Sequence, residues 1–217
     1  MDIALPRQAR RDAVRAAVMD LRAGRPVIVV DDEDRENEGD LVMAAEHATT
    51  QALAFYMRHT SGLVCAPMAP EVADRLLLPP MVARNEDPEQ TAYTVSVDAA
   101  DGIGSGISAA DRAHTLRRLA DPAIEPAGLR RPGHVFPLRA RSGGLAERRG
   151  HTEASVELMR LCGLAPVAVI SEVCEEDGDV ARMAGLRAFA GRQWLTIVSI
   201  EEIAAVSRVP EAAGGVR

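Results

Sequence analysis

PVIVVDDEDRENEGDLVMAA, residues 26–45, decides the fold class. Val27 to Val30 is a continuous apolar run typical of a buried strand. It ends directly in the acidic stretch 31–40, and Leu41 to Ala45 reads as a second strand. Two strands in succession break the clean βαβ alternation of a parallel sheet. Outward from this pair, helices and strands intermix. Arg7 to Ala23 carries Val14, Val18 and Leu21 at helical spacing and stops at Gly24, ahead of Pro26. Downstream, a helix is expected from Thr49 or Thr50 to Arg58, a strand at 63–67, a short helix at 70–78 and a polar surface loop at 79–90. A β-branched strand over 91–99 leads through a Gly-rich turn into a helix at 109–120. After an irregular stretch, 121–133, come a strand at 134–140, a loop at 142–150 and a helix at 151–163 that Gly163 ends. A strand at 166–174, a helix at 182–193, a strand at 195–200 and a terminal helix complete the order. No linker divides the chain. The expectation is one α+β domain over residues 1–217, a mixed β-sheet covered by helices in layers, with 1–6 and 209–217 frayed.

Composition narrows the function. The 217 residues are 47% hydrophobic and 26% charged, ordinary for a globular chain. Aromatics make up 3%, too few for a base-stacking surface, and a net charge of -7 gives no basic footprint for nucleic acid. All 25 basic side chains are arginine. That excludes a Walker A lysine, a Schiff-base lysine and pyridoxal phosphate chemistry. Carbonyl chemistry in this chain must polarise its substrate by metal or hydrogen bonds. Cys65, Cys162 and Cys174 lie far apart with no C-x-x-C, so neither a disulfide framework nor a structural zinc site is expected. The N-terminal residues lack the apolar core of a signal peptide, and no apolar run approaches the roughly 18 residues of a membrane span. The reading is a cytoplasmic protein with no membrane and no nucleic-acid partner.

Residues 31–40 carry the strongest chemical signal. Asp31, Asp32, Glu33, Asp34, Glu36, Glu38 and Asp40 place seven carboxylates in ten residues. The plain alternative is a solvated acidic loop. Against it, the run follows a buried strand, and compact folding needs a cation or Arg35 to offset its self-repulsion. An EF-hand calcium loop fails, because Ala45 stands where a bidentate Glu is needed. In ERRGHTE, 147–153, Gly150 allows close backbone approach, Thr152 is a candidate helix cap, and Arg148 or Arg149 at a helix start suits a phosphate. His151 beside them is a candidate metal ligand or acid/base group. His134 follows Pro132-Gly133 at the start of a strand, where a structural role is the plainer reading. Glu172 lies inside the apolar run PVAVISEV, a candidate general acid/base against the plainer reading of an outward strand residue. The glycines of DGIGSGIS, 101–108, do not complete a dinucleotide fingerprint.

Together these segments resemble the 3,4-dihydroxy-2-butanone 4-phosphate synthases of riboflavin biosynthesis. The matching pieces are DDEDRENEGDLVMAAE (31–46), RHTSGLVCAPM (58–68), TVSVDA (94–99), GISAADR (106–112), RPGHVFPLRA (131–140), RGHTEASVELMRL (149–161) and the region 171–182. The resemblance implies conversion of ribulose 5-phosphate to 3,4-dihydroxy-2-butanone 4-phosphate and formate. It implies Mg²⁺ or Mn²⁺, two ions per site, held by Glu36 and His151, and no organic cofactor. It implies substrate contacts from Arg35, Glu36, Asp40, Arg148, Arg149, Gly150, His151, Thr152 and Glu172, with Arg148 and Thr152 on the phosphate. Glu172 and His134 match the family's essential residues, and Asp31, Glu38 and Cys65 match positions near the site. A homodimer with sites near the subunit boundary is implied. So is a monofunctional chain, since no cysteine cluster for a fused GTP cyclohydrolase II is present. The chain departs from the family pattern at Arg149, where glycine is usual, at Ser105, where threonine is common, and between Asp87 and Thr91, where the usual His or Gly is missing. The competing readings are another metal-dependent phosphosugar isomerase or lyase, a binding relic, and a divalent-cation sensor.

Overall fold

The computed structural model describes residues 7–207. The helices are α1 (Arg7–Arg22), α2 (Thr50–His59), α3 (Pro70–Arg75), α4 (Ala109–Ala120), α5 (His151–Cys162), α6 (Met183–Gln193) and α7 (Ile200–Ser207). The strands are β1 (Val27–Val30), β2 (Gly39–Ala44), β3 (Cys65–Met68), β4 (Val97–Ala99), β5 (Leu129–Arg139), β6 (Ala168–Glu172) and β7 (Ile197–Ser199). They form one sheet in the order β4-β5-β3-β6-β2-β1-β7. β1 pairs antiparallel with β2 and parallel with β7, β6 lies antiparallel to β2, and β3 runs parallel to β5. The mixed sheet expected from residues 26–45 is therefore present.

The continuous apolar runs follow from burial on both faces. Ile28, Val30, Leu41 and Met43 point into one core, under α2, α3, α4 and α6. Val27, Val29, Val42 and Ala44 point into the other, under α1, α5 and α7. Period-two side-chain alternation sends successive residues to opposite faces, so a strand between two helical layers needs an apolar residue at every position. Leu53, Leu116 and Leu186 fill the first core, and Leu21, Leu158 and Met159 the second. Each fully buried Leu or Met contributes about 1.5–3 kcal/mol of hydrophobic stabilisation.

Local signals fix several ends. The Thr49 side chain accepts from the Ala52 amide at 3.1 Å and caps α2. Gly163, at φ 67°, ends α5 as expected. Thr152 is not the cap of α5. Gly150 holds that position, and Thr152 is buried in the first turn. β5 begins at Leu129, five residues before the expected start, because residues 129–130 pair with β4. The expected strand over 91–99 shrinks to Val97–Ala99, and Tyr93 and Thr94 make only single bridges, to Leu138 and Pro80. The expected frayed ends, 1–6 and 209–217, lie outside the described residues. Among the described residues, no helix is long and apolar enough to cross a membrane.

Candidate active site

Three elements converge at one end of the central strands. The 31–38 loop leaves β1 and returns into β2, β6 ends at Glu172 beside Asp40, and α5 starts at His151. Asp40 and Glu172 face each other in the β2–β6 register. A small cavity there is lined by Arg35, Glu36, Glu38, Asp40, Cys65, Thr91, Tyr93, Arg148, His151, Thr152 and Glu172, among others.

Asp31 organises the acidic loop. Its Oδ2 accepts from the Glu36 amide and from Arg35, both at 3.0 Å, and its Oδ1 accepts from the Glu38 amide at 2.8 Å. These bonds answer the self-repulsion of the run: one carboxylate is spent on backbone amides, and Arg35 lies between Asp31 and Glu36, 2.5 Å from the latter. The loop so closed aims Glu36 at His151, with Glu36 Oε2 3.6 Å from His151 Nδ1.

His151 is tied at its far nitrogen. Nε2 lies 3.2 Å from the Val29 carbonyl, to which it can only donate. The ring orientation is thereby set, and Nδ1 faces Glu36. Donor atoms of Asp31, Glu36 and His151 lie within 4.8 Å of one another. Asp31 already accepts three hydrogen bonds, two of them from backbone amides that close the loop. Glu36 accepts one from Arg35, and His151 Nδ1 faces the cavity side, so Glu36 and His151 keep the most capacity for a cation. One imidazole and one or more carboxylates suit a divalent cation that keeps water and takes substrate oxygens.

Electrostatics spread the protonation states. The hydrogen-bonding pull of His151, against the opposing effect of burial and with help from Arg35, holds Glu36 down to about 2. Burial pushes Asp40 up to about 7, and nearby Glu172, Glu36 and Glu38 add to that while His151 opposes it. Burial works against the His151 cation, but Asp40, Glu36 and Asp31 outweigh it and raise its pKa to about 9. Burial also pushes the Cys65 thiol far up, so it is an inert wall residue.

Arg148 folds back over Gly150. Its Nη1 donates to Glu153 at 2.8 Å, its Nε to the Glu89 carbonyl at 3.0 Å and its Nη2 to the Thr91 hydroxyl at 3.1 Å. A Cβ on Gly150 would land on the Arg148 guanidinium, so a larger residue there would push Arg148 out of this fold-back. Arg149 is exposed and does not line the cavity, and it has no positive φ, so the departure from glycine carries no backbone strain.

His134 is not brought to this cavity. It lies on β5 with its Nδ1 2.7 Å from Asp98 Oδ2, and its amide donates to Asp98 Oδ1 at 2.9 Å. Close approach of β5 to β4 makes this pair possible, since a Cβ at Gly133 would land on the Val97–Asp98 backbone. Sequence reading missed Asp98, Ser61, Thr91 and Tyr93. Ser61 donates to Glu172 Oε2 at 2.6 Å. No local signal marks it, because the contact joins residues 110 positions apart or more. A larger cavity, about 810 Å³, lies across the 79–94 segment and shares only Thr91 and Tyr93 with the site. It contains no cluster of carboxylates and histidine, so the smaller cavity is the candidate centre.

The chain is similar to known proteins over most of its length. Residues 15–206 match the family model described as 3,4-dihydroxy-2-butanone 4-phosphate synthase. The riboflavin biosynthesis protein RibBA of Salinispora arenicola is 52% identical over 198 residues, 91% of this chain and 47% of that protein. RibBA of Nocardia farcinica is 53% identical over 204 residues, 93% of this chain and 49% of that protein. The chain thus spans about half the length of these curated relatives. A crystal structure of 3,4-dihydroxy-2-butanone 4-phosphate synthase in complex with two magnesium ions superposes with a TM-score of 0.87 at 49% identity, covering 90% of this chain and 96% of the other. A family match over nearly all the described residues, together with this shared fold, makes the chain a member of the 3,4-dihydroxy-2-butanone 4-phosphate synthase family.

Proposed function

We propose that this chain converts D-ribulose 5-phosphate to L-3,4-dihydroxy-2-butanone 4-phosphate and formate, a lyase step of riboflavin biosynthesis. The observation that carries the reading is the pairing of two differently poised groups in one cavity. A metal-type His151–Glu36 pair lies beside Asp40, a buried carboxyl held near neutral pH. Proton transfers at neutral pH need groups whose protonation is split in this way.

Glu36 and His151 would hold Mg²⁺ or Mn²⁺, as two ions per site, with Asp31 fixing the loop that presents them. Bound there, a divalent cation would supply charge neutralisation for an enediolate oxygen pair, in place of the lysine that the chain lacks. Glu172, oriented by Ser61, takes and returns protons at its carboxylate, and Asp40 beside it is a second proton carrier. Arg148, Thr152 and the first amides of α5 receive the phosphate, and Arg35 orients the sugar. Gly150 leaves Arg148 room to do so, and Arg149 serves at the rim. No organic cofactor is part of the proposal.

His134 enters through the homodimer implied by the resemblance. Its imidazole, 40% exposed and fixed by Asp98 near the sheet edge, is available to a second copy's cavity. One domain over residues 1–217, one activity within them, and a cytoplasmic location complete the proposal. Its test is substrate labelled with ¹³C at the fourth carbon. Label recovered as formate supports the synthase. Label retained in a sugar phosphate points to isomerase or other lyase chemistry.

A further inference from the structure

Three arginines converge on residues 89–91. The Glu89 carboxylate pairs with Arg35 at 3.1 Å, and the Glu89 carbonyl accepts from Arg148 Nε at 3.0 Å. The Gln90 carbonyl accepts from Arg141 at 3.0 Å, and the Thr91 hydroxyl accepts from Arg148 Nη2 at 3.1 Å. All four acceptors are oxygens, and one carries a full negative charge. A phosphate group would offer the same guanidinium donors a similar set of oxygens.

The segment is built to stay in place. The Asn85 side chain donates to the Thr91 carbonyl at 2.9 Å, and the Thr91 amide donates to Asp87 at 2.7 Å. Gln90 is held at φ 53°, a left-handed angle, in the stretch where the family's usual His or Gly is missing. With the segment seated, the cavity offers about 80 Å³. That is room for a handful of waters, so a sugar phosphate bound there would extend past the cavity mouth or push its wall aside.

We propose that the Glu89 carboxylate competes with the anionic substrate for Arg35, while the Glu89 carbonyl and the Thr91 hydroxyl occupy Arg148, so that a phosphate seated on Arg148 displaces residues 89–91. The inference rests on the phosphosugar reading of the cavity. A dianionic phosphate can replace the Glu89 carbonyl and Thr91 hydroxyl on Arg148 and draw Arg35 from the Glu89 carboxylate, whereas a neutral sugar cannot. Glu89 therefore weakens every anionic ligand while leaving the chemical step alone.

The test uses the full chain as wild type, Glu89→Gln and Glu89→Ala, with inorganic phosphate as the probe in titration calorimetry. An ion pair of this exposure corresponds to a change of about threefold. Both variants should bind phosphate about threefold tighter, and 0.5 M NaCl should erase the difference. In formate release, KM for ribulose 5-phosphate should fall by the same factor with kcat within twofold. Phosphate binding that is equal or weaker in folded variants overturns the proposal, and so does a fall in kcat with KM unchanged. If no protein releases formate, the synthase reading fails, while tighter phosphate binding by the variants still upholds the competition.

Discussion

Replacing Arg148 by Met tests whether the α5 entrance is built on a buried ion pair. The Glu153 carboxylate is 1% exposed and the Arg148 side chain 15%. Glu153 accepts from Arg148 at 2.8 Å and from the Arg141 amide at 2.9 Å. Without the guanidinium, a buried carboxylate keeps one neutral donor. Breaking a buried pair in this way costs about 3–5 kcal/mol when neither partner meets water. Arg148 borders the cavity, so water enters the space it leaves, and the expected loss is about 2–3 kcal/mol. For a chain of this size that lowers Tm by about 5–10 °C. The double variant Arg148→Met/Glu153→Gln removes the stranded charge and should recover at least about 1 kcal/mol over Arg148→Met alone. Urea unfolding and thermal melting, both followed by circular dichroism, measure the free energies and the Tm. A Tm within 1 °C of wild type, or a double variant no more stable than the single one, would refute the reasoning.

Other expectations follow from single contacts. Glu172→Gln keeps the fold, with Tm within about 2 °C of wild type, and loses formate release by about 10²-fold or more; near-wild-type turnover would remove Glu172 from its role. Leu158→Ala, in the core between α5 and the sheet, should lose about 2–5 kcal/mol by chemical denaturation, and a loss under 1 kcal/mol would contradict the packing. Gly133→Ala forces β5 away from β4 and separates His134 from Asp98, so the variant should be less stable by about 1–3 kcal/mol; unchanged stability would argue against the close approach. In the metal-free protein His151 titrates near 9, above its ordinary value, and only its neutral form ligates a cation. Mg²⁺ binding at pH 7 should therefore release about one proton and strengthen about tenfold per pH unit up to pH 9. Calorimetry in two buffers of different ionisation enthalpy measures that release, and a value near zero would contradict it.

Much of the fold was legible because burial on two faces leaves an unmistakable mark. Val27–Val30 and Leu41–Ala44 read as strands from their apolar continuity, and Gly163 read as a helix stop from its need for a left-handed angle. The failures were non-local. Residues 129–130 fell in the stretch 121–133 expected to be irregular, yet they pair with β4 across a bulge. Thr152 looked like a cap because its hydroxyl suits one, but Gly150 holds the cap position and Thr152 lies buried in the first turn. At the site, the acidic run and the GHTE tetrad were visible as residue types. Their meeting depended on His151 bonding to the Val29 carbonyl, 122 positions away, and no local pattern encodes that. Ser61 and Asp98 were invisible for the same reason, and His134, which the resemblance gives as essential, lies outside the cavity against Asp98.

The most direct test of the central claim is proton NMR of the purified protein with ribulose 5-phosphate, once with Mg²⁺ and once with EDTA. A formate signal that grows with Mg²⁺ and stays absent with EDTA is the predicted result. Loss of substrate without formate, or formate growing equally in EDTA, would contradict a metal-dependent synthase built on Glu36 and His151.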